Sequence, residues 1–227
     1  MEVRAVIDKT LRKWLWFVFA LALPSSAAWS KEIAVAEMRV TISVHNDAGI
    51  SAGTLRGAEV EASRVFRQSG IEAKWLNCPL PPDGPEDPAQ CRTAEFPAHL
   101  QLRIARRSRN LSEITFGISY LSADGSGCYA NLFYQRVEEM HERSRVNLAS
   151  LLGDVAAHEI GHLLLGTNSH AASGIMRSRW QNEELGSINT GTLFFSDPES
   201  LQMRSKLASW QAKRKDDFRV ASARLGD

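Results

Sequence analysis

The chain carries almost no surplus of charge. Across 227 residues, 27 Lys and Arg stand against 26 Asp and Glu, a formal net charge of +1. Near-balance gives no electrostatic reason to expect nucleic acid or an anionic membrane as a partner. Repeats and low-complexity tracts are also missing, so 44% apolar and 23% charged residues point to one ordinary globular core. The N-terminus has no apolar run long enough to cross a bilayer: Trp14 to Leu23 supplies about half of the roughly 20 residues required, and Pro24 stops it. That run follows the basic cluster of "MEVRAVIDKTLRKW" and precedes the small residues of "PSSAAWS". It reads as a secretory signal over residues 1–28, cut near Ala27 or Ala28, with an uncleaved anchor as the alternative. Residues 29–227 are then expected to form a single domain, exported to the periplasm or the extracellular space, with no stable membrane insertion after cleavage.

Cysteine is scarce, at three residues. Cys78 and Cys91 flank "PLPPDGPEDPAQ", whose prolines prevent helix or strand, and in an exported protein a disulfide closing that loop is expected. Cys128 is left over, and sequence alone does not decide the pairing of three thiols.

Residues 37–46, "EMRVTISVHN", alternate Val40, Ile42 and Val44 with polar neighbours, the period of a strand with one buried face. A helix is expected after it, ending near Gly70, then strands at "IEAKWLNC", "HLQLRIA" and "GCYANLFYQRV", with "ITFGISYL" as a short strand or a linker. From Val146 to Leu165 a helix is apolar on most faces and therefore buried. Beyond Met176 the chain reads as turns until "DPESLQMRSKLASWQAKRKDD". There Asp197 serves as cap, Pro198 fits the first turn, and Leu201, Leu207 and Trp210 form the expected buried stripe. The order defines an α+β fold.

Chemistry concentrates in residues 155–176, "VAAHEIGHLLLGTNSHAASGIM". His158 and His162 lie four apart on the buried helix, so their rings share a face and can converge on one ion. Imidazole nitrogen suits zinc, and a catalytic zinc site adds one more protein ligand and keeps a position for water. Glu159 is placed to take a proton from that water, whose pKa zinc lowers to about 7. Two buried histidines and a carboxylate without such a role would cost several kcal/mol, roughly, in desolvation.

With "HEIGH" and "GIM" the segment resembles the metzincin class of zinc metalloproteases, whose pattern is H-E-x-x-H-x-x-G-x-x-H followed by a methionine-containing turn. Leu165 stands where that pattern has glycine, and Gly166 follows one place later. Asn168 stands at the third histidine, and His170 lies two places beyond. Gly166 is expected to end the helix in a left-handed conformation, letting His170 swing back as third ligand, with the three rings within about 4 Å of one another. The resemblance implies a twisted, mostly parallel or mixed sheet, a buried active-site helix and a C-terminal helix, with Met176 as a hydrophobic base under the metal. It also implies that "CYANLFYQRV" rims the cleft and pairs with extended peptide. No tyrosine follows Met176 in "RSRW", so a tyrosine that assists some metzincins has no counterpart.

The function implied is a secreted zinc-dependent hydrolase, an endopeptidase, acting on a peptide or protein substrate. Two alternatives stand beside it. One is a thermolysin-like (gluzincin) site taking Glu183, or its neighbour Glu184, as third ligand; the other is a secreted zinc- or peptide-binding protein without catalysis. Asp154, one turn before His158, is expected either to orient that ligand's second nitrogen or to complement the helix dipole. His45, His99 and His141 are expected at the surface or as caps, and Asn110 opens a glycosylation sequon with Ser112.

Overall fold

The alternation of Val40, Ile42 and Val44 produces β1 (Met38–His45), with all three side chains buried. A computed structural model of the chain describes residues 38–78, 91, 99–107 and 115–224, with side chains to residue 213. The expected signal segment, the interior of the cysteine-flanked loop and the sequon at Asn110 lie outside the described residues. Next to β1 on one side is β2 (Ile71–Cys78) and on the other β3 (His99–Ala105), followed by β5 (Tyr129–Phe133) and, at the edge, β4 (Gly117–Tyr120). The first four run parallel and β4 runs antiparallel to β5. Parallel neighbours need a crossover, and α1 (Ala52–Gln68) supplies it between β1 and β2, capped by Ser51 Oγ, which accepts from the Thr54 amide at 3.1 Å.

Among the described residues four further helices are α2 (Tyr134–Ser144), α3 (Leu148–Leu165), α4 (Asn182–Thr190) and α5 (Asp197–Arg224). The fold is α+β, with a mostly parallel five-stranded sheet. Helix α3 is the centre of the core: Leu151, Ala157, Ile160, Leu163 and Leu164 are sealed from solvent, as are Leu100 and Leu132 of the sheet. The order of 25 cal/mol per Å² of apolar area makes this burial the main stabilising contribution.

Several expectations are corrected. "GCYANLFYQRV" is strand only to Phe133; from Tyr134 it is helix, where Gln135 and Arg136 both donate to Glu139 (2.9 and 2.8 Å), the i,i+4 and i,i+3 pairs a helix favours. The segment after Met176 contains α4, whose nine residues and internal Gly186 give little periodicity; its start is fixed by a capping box between Gln181 and Glu184. Leu201 is 59% exposed, and the buried stripe of α5 is Met203, Leu207 and Trp210. The Ser196 carbonyl accepts the Ser200 amide (2.9 Å), so α5 is entered one residue before Asp197, which occupies the first turn. His99 is buried, its Nε2 2.6 Å from Ser43 Oγ, while His141 does cap: its Nδ1 lies 2.6 Å from the Val146 carbonyl.

Cys78 and Cys91 form a disulfide with Cα atoms 5.9 Å apart, and Cys128 is free and partly buried. A crosslink over a separation of 13 residues contributes about 3 kcal/mol by restricting the unfolded chain.

Candidate metal and catalytic site

Helix α3 ends where Gly166 takes φ 72° and ψ 29°, donating its amide to the His162 carbonyl at 2.8 Å. The left-handed cap turns the chain back at once. Thr167 can therefore present its carbonyl to His162 Nδ1 (2.8 Å), and His170 reaches the two helical histidines. Ring centroids stand 4.8 Å apart for His158–His162, 5.4 Å for His158–His170 and 4.9 Å for His162–His170. One nitrogen from each ring lies within 4.8 Å of the others. That is wider than the expected 4 Å because His170 sits on an exposed loop while the helix fixes the other two.

The donor set fits a metal ion. His158 Nδ1 faces the Ile175 carbonyl at 2.6 Å, and His162 Nδ1 faces that of Thr167, so both Nδ1 atoms carry the proton and donate. Both Nε2 atoms then present lone pairs, only 3.1 Å apart. Two lone pairs at that distance repel, and a cation between them relieves the repulsion; the spacing is near the edge of roughly 3.4 Å in a tetrahedral zinc site. A proton shared between the rings is disfavoured, because burial, with the neighbouring imidazoles, pushes His158 down to about 3 and burial likewise lowers His162. His170 is also lowered by partial burial. Carbonyl partners on Nδ1 fix tautomer and ring plane, as metal-binding histidines require.

Glu159 is 5% exposed and borders a cleft of about 350 Å³ with the three histidines. Burial raises its carboxyl to about 7, opposed by Ser119, whose Oγ lies 2.7 Å from Glu159 Oε2 and 2.7 Å from the Glu159 carbonyl. Ser119 is on β4, as is Gly117, where an added Cβ would stand 2.6 Å from Glu159 Cγ. Neither residue was singled out from sequence, although a glycine inside "ITFGISYL" is the signal of a close approach. Met176 is buried, and a Cβ at Gly161 would come 2.9 Å from its sulfur, so the residue before His162 must be small for Met176 to pack on α3. Just ahead of Met176, the Ile175 carbonyl also accepts Trp180 Nε1 at 3.1 Å, and Trp180 stacks on Phe116.

Other candidates fall elsewhere. Asn168 is exposed on the cleft rim. Glu183 is exposed in the first turn of α4, outside the histidine cluster, and Glu184 is buried against Arg177 (2.8 Å) and the Gln181 amide (2.9 Å). Asp154 does not orient His158, whose Nδ1 is taken by Ile175. Both its oxygens are buried with no hydrogen-bond partner among the described residues, and as the seventh residue of α3 it lies beyond the first turn, where it would complement the dipole. The strand bordering the cleft is β4, not "CYANLFYQRV": β5 lies between β3 and β4 with both edges paired.

No known protein family's sequence profile matches the chain, and no curated protein matches it. Among solved structures it is similar to the crystal structure of archaemetzincin from Methanopyrus kandleri, at 14% identity and a TM-score of 0.46, covering 75% of this chain and 97% of that one. At that score the likeness carries no functional weight, and the chemistry of the site stands on its own geometry.

Proposed function

We propose that the chain is a zinc-dependent peptidase, with His158, His162 and His170 as ligands and Glu159 as general base. One observation carries this: three imidazole donors within 4.8 Å of one another share a cleft with a buried carboxyl group whose titration burial moves to about 7. Three neutral nitrogen donors suit zinc among the common divalent ions. When bound, the ion would supply Lewis acidity, polarising the scissile carbonyl and lowering the pKa of water to about 7.

The remaining work belongs to this chain's residues. Ser119 occupies Glu159 Oε2, which leaves Oε1 to take a proton as water adds to the carbonyl carbon. The same carboxyl group then returns that proton to the amine nitrogen as the C–N bond breaks. Burial raises the Glu159 carboxyl group above the ordinary carboxylate range, which makes it a stronger proton acceptor than an exposed glutamate. Among the described residues edge strand β4 pairs only with β5, so its other side can take an extended peptide by strand addition along the cleft. Endopeptidase action follows from a peptide lying along that edge.

We also propose export of residues 29–227 as one domain after loss of the signal. The apolar N-terminal run and the Cys78–Cys91 disulfide, a bond of oxidising compartments, support this. The test of the catalytic reading is Glu159→Gln. It is expected to keep stoichiometric zinc by elemental analysis while peptide hydrolysis falls roughly 10² to 10⁴-fold, and a chelator should silence the wild type. Hydrolysis at the wild-type rate by metal-replete Glu159→Gln removes Glu159 from the mechanism; inactivity of both proteins with and without chelator favours a binding protein.

A further inference from the structure

Charge in the cleft is lopsided. Apart from Glu159, whose task is the proton, the side chains among the described residues that border it and carry full charge are Arg177 and Arg179. The two arginines differ in their surroundings. Arg177 Nη1 donates to Glu184 Oε1 at 2.8 Å, and Glu184 is 2% exposed with its other oxygen held by the Gln181 amide. Its charge is thereby compensated and its guanidinium fixed. Arg179 is exposed and has no hydrogen bond or ion pair among the described residues.

Free as the Arg179 side chain is, its backbone is pinned on both sides. The Arg177 amide donates to the Gly174 carbonyl (3.1 Å), and Trp180 is tied to Ile175 and stacked on Phe116 across the cleft. An uncompensated guanidinium is thus delivered to the rim by a rigid turn, on the same turn that supplies the Ile175 carbonyl to His158. Its planar fork matches a carboxylate in a bidentate pair. A cleft with that excess of positive charge also draws anionic ligands electrostatically.

We propose that Arg179 is a specificity-determining residue that recognises a carboxylate of the peptide substrate near the scissile bond. This rests on the peptidase reading above and adds the substrate class: peptides bearing a carboxylate at that position. The carboxylate has two sources, an acidic side chain or the peptide's own C-terminus. An internal acid leaves the enzyme an endopeptidase, and a terminal one makes it release short C-terminal fragments. Because Arg179 faces water, the preference is modest, about three- to tenfold, and is screened by salt.

The experiment uses the full chain and a set of fluorogenic peptides identical except for Glu, Gln or Lys at one position swept along the sequence, each with a free or amidated C-terminus. Two readouts are taken: kcat/KM for the wild type, and binding to zinc-loaded Glu159→Gln by fluorescence anisotropy. Glu is expected to exceed Gln by about three- to tenfold in both readouts if the side chain is the ligand, and free acid to exceed amide by the same factor if the terminus is. Arg179→Gln should bring that ratio to near one, and Arg179→Glu should invert it in favour of Lys, a gain that misfolding does not produce. Equal handling of Glu, Gln, free acid and amide overturns the proposal, as does a preference that survives Arg179→Gln. If no peptide is hydrolysed the peptidase reading fails by itself, and the binding arm still decides whether Arg179 selects a carboxylate; absence of binding to every peptide overturns both.

Discussion

His158 and His162 each have a carbonyl on Nδ1, whereas His170 has no hydrogen-bond partner among the described residues and stands exposed on its loop. Its position depends on the turn that delivers it, which makes it the informative one of the three proposed ligands to remove. His170→Ala should lower zinc affinity by about ten- to a hundredfold, the usual scale even for groups that merely support a ligand. Asn168→Ala and Glu183→Ala should keep stoichiometric zinc, since neither residue belongs to the histidine cluster. Metal content of the three purified variants decides between them. Retention in His170→Ala with loss in Glu183→Ala would replace the three-histidine site by the thermolysin-like one. Gly117 belongs to the same scale: its missing side chain is the space in which the Glu159 carboxyl group lies, so a strand residue is as much part of the site as the helix.

One element, α3, carries two of the proposed ligands and the proposed base, and its C-terminal end is held by its neighbours. Lys206 of α5 donates to the Leu163 carbonyl (3.1 Å) and the Gly125 carbonyl (2.8 Å), and Gln202 donates to Leu165 (2.9 Å). An ammonium group at a helix C-terminus also complements the dipole. Gly166 sits under this arrangement: a Cβ there would strike Lys206 Nζ and come 2.9 Å from the Gly125 carbonyl, in addition to its left-handed strain. Gly166→Ala should therefore destabilise the fold by about 2 to 3 kcal/mol in urea unfolding, and weaken metal binding because the chain to His170 starts there. A Gly166→Ala variant with wild-type midpoint and zinc affinity would remove Gly166 from both roles. The glycine was legible in the sequence, as were α3 with its histidines, the strands with clean alternation, and the Cys78–Cys91 pair. Those features are set by local chemistry: spacing, capping, and a loop that proline keeps irregular. What stayed hidden depends on tertiary partners. Ser119 and Gly117 matter only because β4 folds against Glu159, α4 is nine residues held by a capping box, and Leu201 is exposed because α5 packs through Met203 and Leu207 instead.

At the scale of the whole molecule, the junction of α1 with α3 ties stability to pH. The helices meet through small residues: a Cβ at Gly153 would lie 2.5 Å from the Ala58 carbonyl, and one at Gly57 would lie 2.8 Å from Ala149 Cβ. Asp154 is buried beside them with no hydrogen-bond partner among the described residues on either oxygen, near Glu61, which holds Arg64 in a two-pronged pair (2.5 and 3.0 Å). Burial first, and Glu61 second, push Asp154 up to about 8 against the pull of Arg64. In the unfolded chain the same group titrates at about 3.9. Between those values the folded state binds one proton more than the unfolded state, so stability falls as pH rises, by at most about 1.4 kcal/mol per pH unit. The contribution is complete below about 3.9 and is lost as pH climbs through the folded value near 8, after which this group adds no further slope. Asp154→Asn has no such proton to hold. Relative to wild type it should gain about 2 to 4 kcal/mol between pH 5 and pH 9, read as the difference between two sets of urea midpoints. Taking that difference cancels the histidines and Glu159, which titrate alike in both proteins. Parallel midpoint profiles for the two proteins would show that Asp154 is ionised in the folded state and that the α1–α3 junction has no share in the pH response.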